Sequence, residues 1–242
     1  MKRTNTSKRV ALITGGSAGL GRELVAALSG AGWSVITDAR DGVRLAAATA
    51  GLSDVVAIPG DVADPGHRAE LAATAVARGR LDLLVHNAST LGPLPMRPLA
   101  RLDAAAFSAI WSVNVAAPLA LTHLVLANLL RHNGILLSVS SDAAVQHYPD
   151  WGGYAASKAA LDQVTLTLAA ENPGLTGYAV DPGDMRTEMH QAAFPGEDIS
   201  DRPLPGTVVP ALLALVESRP PSGRYLAADI RVPSGARGGR VA

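Results

Sequence analysis

The chain contains no cysteine, and only three of its 21 basic residues are lysine. The missing thiols exclude a disulfide scaffold, thiolate-ligated zinc and cysteine nucleophiles, and they fit a reducing cytoplasm, which is the expected location. Charge of one sign is not in excess: 21 basic residues face 21 acidic ones. With no basic run, the electrostatic footprint of a nucleic-acid binder is missing. The most apolar run, Ala116 to Leu130, is interrupted by Thr122, His123 and Asn128 and reads as too short to cross a bilayer. The basic start MKRTNTSKRV is not followed by an apolar stretch with a cleavage-type site, so no signal peptide is expected. His86, His123, His132 and His190 are scattered without metal-ligand spacing, and no metal is expected. What remains is a chain of 242 residues, 48% hydrophobic and 17% charged, long enough to bury a large core as one domain. Of its lysines, Lys2 and Lys8 lie near the N-terminus, and Lys158 stands alone in the body.

Short β-branched runs alternate with longer Ala/Leu-rich ones. Strands are predicted at Val10–Thr14, Trp33–Thr37, Val55–Pro59, Leu81–Val85, Ile135–Val139, Thr176–Val180 and Tyr225–Ile230. Helices are predicted at Leu20–Ala31, Val43–Ala50, Arg68–Arg78, most of Asp103–Arg131, Tyr154–Glu171 and Val208–Glu217. Strands that are apolar without alternation are buried on both faces, as in a parallel sheet, and the strand–helix rhythm predicts a doubly wound α/β fold. The expected organisation is a tail over 1–9, one domain over 10–232 with an irregular substrate loop at about 183–205, and a mobile tail over 233–242.

The first strand runs into Thr14-Gly-Gly-Ser-Ala-Gly-Leu-Gly21, and a helix follows. Glycines at 15, 19 and 21 allow a tight turn and close approach to a pyrophosphate, which the helix N-terminus attracts through free N–H groups and its dipole. A glycine string alone is a weak sign, because glycine also makes plain turns; its place between first strand and first helix strengthens it. The spacing Thr-Gly-x-x-x-Gly-x-Gly resembles the short-chain dehydrogenase/reductase family, whose members have a Rossmann-type sheet flanked by helices.

That resemblance implies a nucleotide site built from Thr14, Gly15, Ser17, Gly19, Leu20 and Gly21 at the turn. It places an NAD-selecting acid on Ala39 and an NADP-selecting base on Arg40, so NADP(H) is favoured, with NAD(H) open. Asp38 lies one position early, and a slipped strand end would bring it to the ribose. Asp61-Val62 resembles the adenine-contacting pair. His86-Asn87-Ala88-Ser89 stands where the family usually has Asn-Asn-Ala-Gly: Asn87 and Ala88 match, whereas His86 and Ser89 depart. Asp181-Pro182-Gly183 closes the sixth strand, and Thr187 resembles the residue that bonds the nicotinamide carboxamide.

Tyr154-Ala-Ala-Ser-Lys158 places a phenol and an ammonium on one helix face. Carbonyl reduction needs a positioned acid, and a lysine cation favours the phenolate. A lone Tyr-x-x-x-Lys is usually an exposed tyrosine beside a solvated lysine, so context decides. The resemblance makes Ser141 of Ser140-Ser141 the carbonyl-orienting hydroxyl, and Asn114 the residue that holds a proton-relay water. Lys158 is expected to bond the nicotinamide ribose as well as tune Tyr154. The expected function is an NADP(H)-dependent oxidoreductase interconverting a carbonyl and an alcohol. Alternatives are an inactive cofactor-sensing protein of the same fold, an NAD(H)-dependent alcohol dehydrogenase, and a nucleotide-sugar epimerase or dehydratase, for whose extra domain the chain has little room. Leu91, Leu94, Gln146, His147, Trp151, Met185, Met189 and Phe194 are candidate pocket residues for a small-molecule substrate. The resemblance also implies a homodimer or homotetramer, with no membrane partner.

Overall fold

The computed structural model describes residues 8–233, so most of both predicted tails lies outside the described residues. The elements run β1 (Val10–Ile13), α1 (Gly19–Gly30), β2 (Ser34–Ala39), α2 (Gly42–Thr49), β3 (Val55–Pro59), α3 (Pro65–Ala77) and β4 (Leu83–His86). They continue with α4 (Ala104–Trp111), α5 (Ala117–Arg131), β5 (Ile135–Val139), α6 (Gly152–Glu171), β6 (Thr176–Asp181), α7 (Glu188–Ala193), α8 (Val209–Ser218) and β7 (Gly223–Leu226). All pairings are parallel, in the order β3-β2-β1-β4-β5-β6-β7. The predicted doubly wound α/β class is the observed one.

Strand side chains alternate between two buried faces. Ala11 and Ile13 pack with α1 and α8 through Leu24, Leu28 and Leu212, whereas Val10 and Leu12 pack with α3 and α5 through Leu71, Leu121 and Val125. Because both faces are apolar, no polar alternation shows in the strand sequences. The order reverses between β1 and β4, and at such a switch point the connections leave in opposite directions, opening a crevice beyond the strand ends.

Several boundaries differ from the sequence expectation. The third helix starts at Pro65 because the Asp64 carboxylate accepts from Gly66 N and proline fits the first turn. The helix carrying Tyr154 begins at Gly152, and the irregular loop after β6 contains α7, capped by the Thr187 hydroxyl on His190 N at 3.1 Å. The last strand ends at Leu226 in a turn of 3₁₀ helix over Ala227–Asp229. Lys8, read as tail, pairs with Asp54 at 2.9 Å. Length does not set the apolar run apart from a membrane span, because α4 and α5 join through a π segment, Ser112–Ala116, into one rod of 28 residues. Its inward side instead packs on α3 and the sheet, with Thr122 and Asn128 buried.

Candidate active site

A cleft of about 1050 Å³ follows the ends of β1, β2, β4, β5 and β6. At one end lies the glycine turn. Gly15 has φ +76°, a left-handed conformation that favours glycine, and a Cβ there would press on Ala88. The Asn87 amide stitches the turn by donating to Thr14 O at 2.9 Å and Gly15 O at 3.1 Å. Thr14 itself is buried behind the turn: its hydroxyl accepts from Asn87 N and Ala88 N, each at 3.1 Å. It therefore holds the turn from below instead of lining the cleft, as the sequence reading had placed it.

Gly15, Ser17, Gly19 and Leu20 line the cleft. Helix α1 starts there at Ala18 with no side-chain cap and no acidic residue in its first turn, whereas Asp41, Asp64 and Asp103 cap α2, α3 and α4. Its free N–H groups and dipole make this end of the cleft receptive to an anion.

Asp38 borders the cleft, but its carboxylate is already engaged. Its carboxylate is 1% exposed and accepts from Gly15 N at 2.8 Å, while its other oxygen lies 2.9 Å from His67 Nε2 on α3. The hydrogen bond to Asp38, with its charge, pushes the His67 pKa up against the opposing effect of burial. Arg40 is exposed on the cleft wall beside Asp61 and Val62. Arg44 and Glu188 span the mouth between α2 and α7 in a bidentate pair at 3.0 and 2.7 Å.

Tyr154, Lys158 and Ser141 line the cleft farther on, as do Pro182, Gly183 and Thr187, the last close to Gly19 of the turn. Burial pushes the Tyr154 phenol above its usual range, and hydrogen bonds with Ser141 and Ser89 pull it back. Lys158 is fully buried and its Nζ donates to Val139 O at 2.7 Å, 5.5 Å from the Tyr154 ring centroid. Burial lowers the Lys158 pKa to about 8, against the Asp162 carboxylate, which raises it. The expected Lys158–Tyr154 tuning is thus not what dominates the phenol, because the ammonium is directed to a backbone carbonyl. His86, which departs from the family's usual asparagine, is buried, and burial, then the Lys158 cation, pushes its pKa down to about 3.

Asn114 sits in the π segment, one layer behind the cleft. Its Oδ1 accepts from Thr90 N at 2.9 Å and from the Ser89 hydroxyl at 3.2 Å. Its Nδ2 donates to Thr90 O and Ser157 Oγ, both at 2.9 Å. These bonds use the side chain fully, which makes Asn114 a strut between β4 and α6.

The sequence reading missed several groups. The Ser141 hydroxyl donates to Asp142 at 3.0 Å, and Asp142 takes the Tyr148 hydroxyl at 2.7 Å. Arg224 reaches from β7 to Ser141 O at 2.9 Å, and to Asp162 and Asp181 at 3.2 Å each. Of the candidate pocket residues, Leu91, Trp151, Met185 and Met189 line the cleft. Leu94, Gln146, His147 and Phe194 do not line it, and the Phe194 ring lies tilted against Trp151 at 5.8 Å.

A switch-point cleft with a glycine turn at one end and a Tyr–Ser–Lys cluster at the other defines a Rossmann-type α/β protein equipped for chemistry. The family model for short chain dehydrogenases matches residues 9–198, and the chain belongs to that family of oxidoreductases. It is 30% identical over 218 residues to the uncharacterized oxidoreductase YciK of Escherichia coli (strain K12), covering 86% of each chain. An uncharacterized oxidoreductase of Saccharomyces cerevisiae is 33% identical over 133 residues, a match that spans 54% of this chain and 52% of the yeast protein. The chain also superposes on a short chain dehydrogenase of Shigella flexneri solved in complex with NADP, with TM-score 0.85, 30% identity and coverage of 94% of this chain and all of that one.

Proposed function

We propose that the chain is an NADP(H)-dependent oxidoreductase that interconverts a carbonyl and an alcohol, with Tyr154 as the acid–base. The observation that carries this reading is the buried Tyr154, which lines with Ser141 and Lys158 a cleft that also takes in an uncapped helix N-terminus.

The residues present fit a dinucleotide. Free N–H groups of α1 and the Ser17 hydroxyl suit the phosphates, Asp61 and Val62 the adenine, and Lys158 and Thr187 the nicotinamide half. Arg40 favours a 2′-phosphate, and Asp38, occupied by Gly15 N and His67, leaves no acid at that strand position for a ribose 2′-OH. The NADP complex of the Shigella flexneri relative supports the same choice. When bound, the cofactor supplies or accepts the hydride.

The chain's own groups handle the proton and the orientation. Ser141 orients the substrate oxygen, and Tyr154 gives that oxygen its proton in reduction and takes it back in oxidation. Arg224 fixes the Ser141 backbone, and the buried Lys158 keeps a cation beneath the site. Leu91, Trp151, Met185, Met189 and Ala193 give the substrate end an apolar wall, while Asp142 and Asp184 supply carboxylates. That wall favours uncharged or cationic carbonyl compounds over carboxylates and phosphates.

The deciding experiment is NADPH oxidation, beside NADH, over aldehydes, ketones and quinones of each charge. Turnover should appear with NADPH and neutral carbonyls and be lost in Tyr154→Phe. A Tyr154→Phe variant with near-normal rates overturns the assignment.

A further inference from the structure

Arg224 sits on β7, an edge strand, and lies outside every motif read from the sequence. β7 pairs with β6 so that Arg224 stands opposite Ala179 and Leu226 opposite Asp181. Side chains alternate along a strand, so Arg224 shares a sheet face with Asp181, whereas its neighbour Tyr225 packs against the core on the α1 and α8 side. Helix α6 covers the Arg224 face. Tyr154, Lys158 and Asp162 follow at four-residue intervals along that helix, so the element that carries the phenol also brings a buried carboxylate to Arg224.

The guanidinium joins three elements. Its Nε donates to Asp162 Oδ2 on α6 at 3.2 Å, and its Nη2 donates to the Ser141 carbonyl after β5 at 2.9 Å and to Asp181 Oδ2 on β6 at 3.2 Å. Each anchor is tied onward. Asp162 Oδ2 also takes the Ser140 hydroxyl at 2.7 Å, and Asp181 Oδ1 takes Gly183 N at 3.0 Å. Both carboxylates are buried, and they share this one guanidinium as counter-charge. A lysine would keep the charge, but its single nitrogen cannot stand at the Nε and Nη2 positions together.

We propose that Arg224 is a positioning residue for the reaction: it clamps Ser141 and the Pro182–Gly183 turn to the helix of Tyr154, and so fixes the substrate oxygen against the phenol and the cofactor wall. This rests on the reading of Ser141 and Tyr154 as the groups that meet the substrate. Reacting groups displaced by about 1 Å can lose on the order of a hundredfold in rate. The glycine turn and Arg40 hold no bond to this clamp, which separates positioning from cofactor affinity.

The test compares wild type, Arg224→Lys and Asp181→Asn in reduction by NADPH of the carbonyl turned over fastest in the panel above. In Arg224→Lys, kcat should fall by about tenfold to a hundredfold while the NADPH KM holds. Asp181→Asn cuts one arm and still offers Gly183 N an acceptor, so a smaller fall of the same kind is expected. With NADPH deuterated at nicotinamide C4, the isotope effect on kcat should be at least as large as in wild type, because the loss lies in hydride transfer. An unchanged kcat in Arg224→Lys, a raised NADPH KM without a fall in kcat, or a smaller isotope effect overturns the proposal. In the protein without cofactor, the amides of Ala143 and Gly183 should exchange hydrogen faster in Arg224→Lys, and unchanged exchange at both overturns it too. If wild type reduces nothing in the panel, the acid–base reading fails separately and amide exchange alone decides the clamp. If Arg224→Lys does not fold, Asp181→Asn decides it by kcat and by exchange at Ala143, and no change in either overturns it.

Discussion

Tyr154 and Arg40 act at opposite ends of one cleft, so their substitutions should separate chemistry from binding. Tyr154→Phe removes the proton but leaves the ring edge-to-face with Trp151 at 5.7 Å. Turnover should fall by at least about a hundredfold, while NADPH still binds in a fluorescence titration. Arg40→Ala should leave kcat nearly unchanged and raise the NADPH KM roughly tenfold, the loss expected for a charge-assisted bond on a phosphate. NADH kinetics should hold, and a parallel rise in both cofactors' KM would move Arg40 out of this role. At this scale, what the sequence made legible was residue type at motif spacing: Tyr154, Lys158 and Ser141 do converge. What it hid was where each hydrogen bond goes. Lys158 serves Val139 O and Asp38 serves Gly15 N, partners 19 and 23 residues away along the chain that only the fold brings within reach.

At the scale of elements, Asp38 and His67 couple three pieces of chain: β2, the glycine turn and α3. The two residues are 29 positions apart, and nothing in either segment's sequence marks the other as its partner. Element existence was readable because doubly buried strands and Ala/Leu-rich helices differ in composition; their ends were less so, because caps such as Asp64 and pairings such as Asp82 with Val10 N decide them. Asp38→Ala would leave Gly15 N and His67 without their shared partner. It should cost about 2–3 kcal/mol in urea denaturation and weaken NADPH binding by loosening the turn. The pH dependence has a definite sign. His67 has a raised folded pKa, so the pair's contribution is full below the unfolded value of about 6.5 and is lost as pH rises through the higher folded value. His67→Gln should flatten the stability profile over that window, and a profile unchanged from wild type would remove the pair from the account.

The whole molecule bears the cost of its one interior lysine. The chain uses arginine for nearly all positive charge, yet the site takes a lysine, whose compact ammonium fits beneath the phenol where a planar guanidinium would overfill a fully buried position. The family resemblance implies a dimer or tetramer, which light scattering tests, with exposed Leu124 on α5 a candidate contact. Burial holds the Lys158 pKa at about 8, below its ordinary value of 10.5. Between those values the unfolded chain binds more protons than the folded one, so stability rises with pH through that window. Below it, the folded state carries a buried cation at a cost on the order of 3 kcal/mol, offset by about 1 kcal/mol from the bond to Val139 O. Lys158→Met keeps most of the volume and drops the charge. It should therefore be inactive yet more stable than wild type by about 2 kcal/mol at neutral pH in urea denaturation. That margin should shrink steadily from about pH 8 to pH 10.5, and a margin that stays constant or widens over this range would mean that Lys158 is not held in its depressed state by burial.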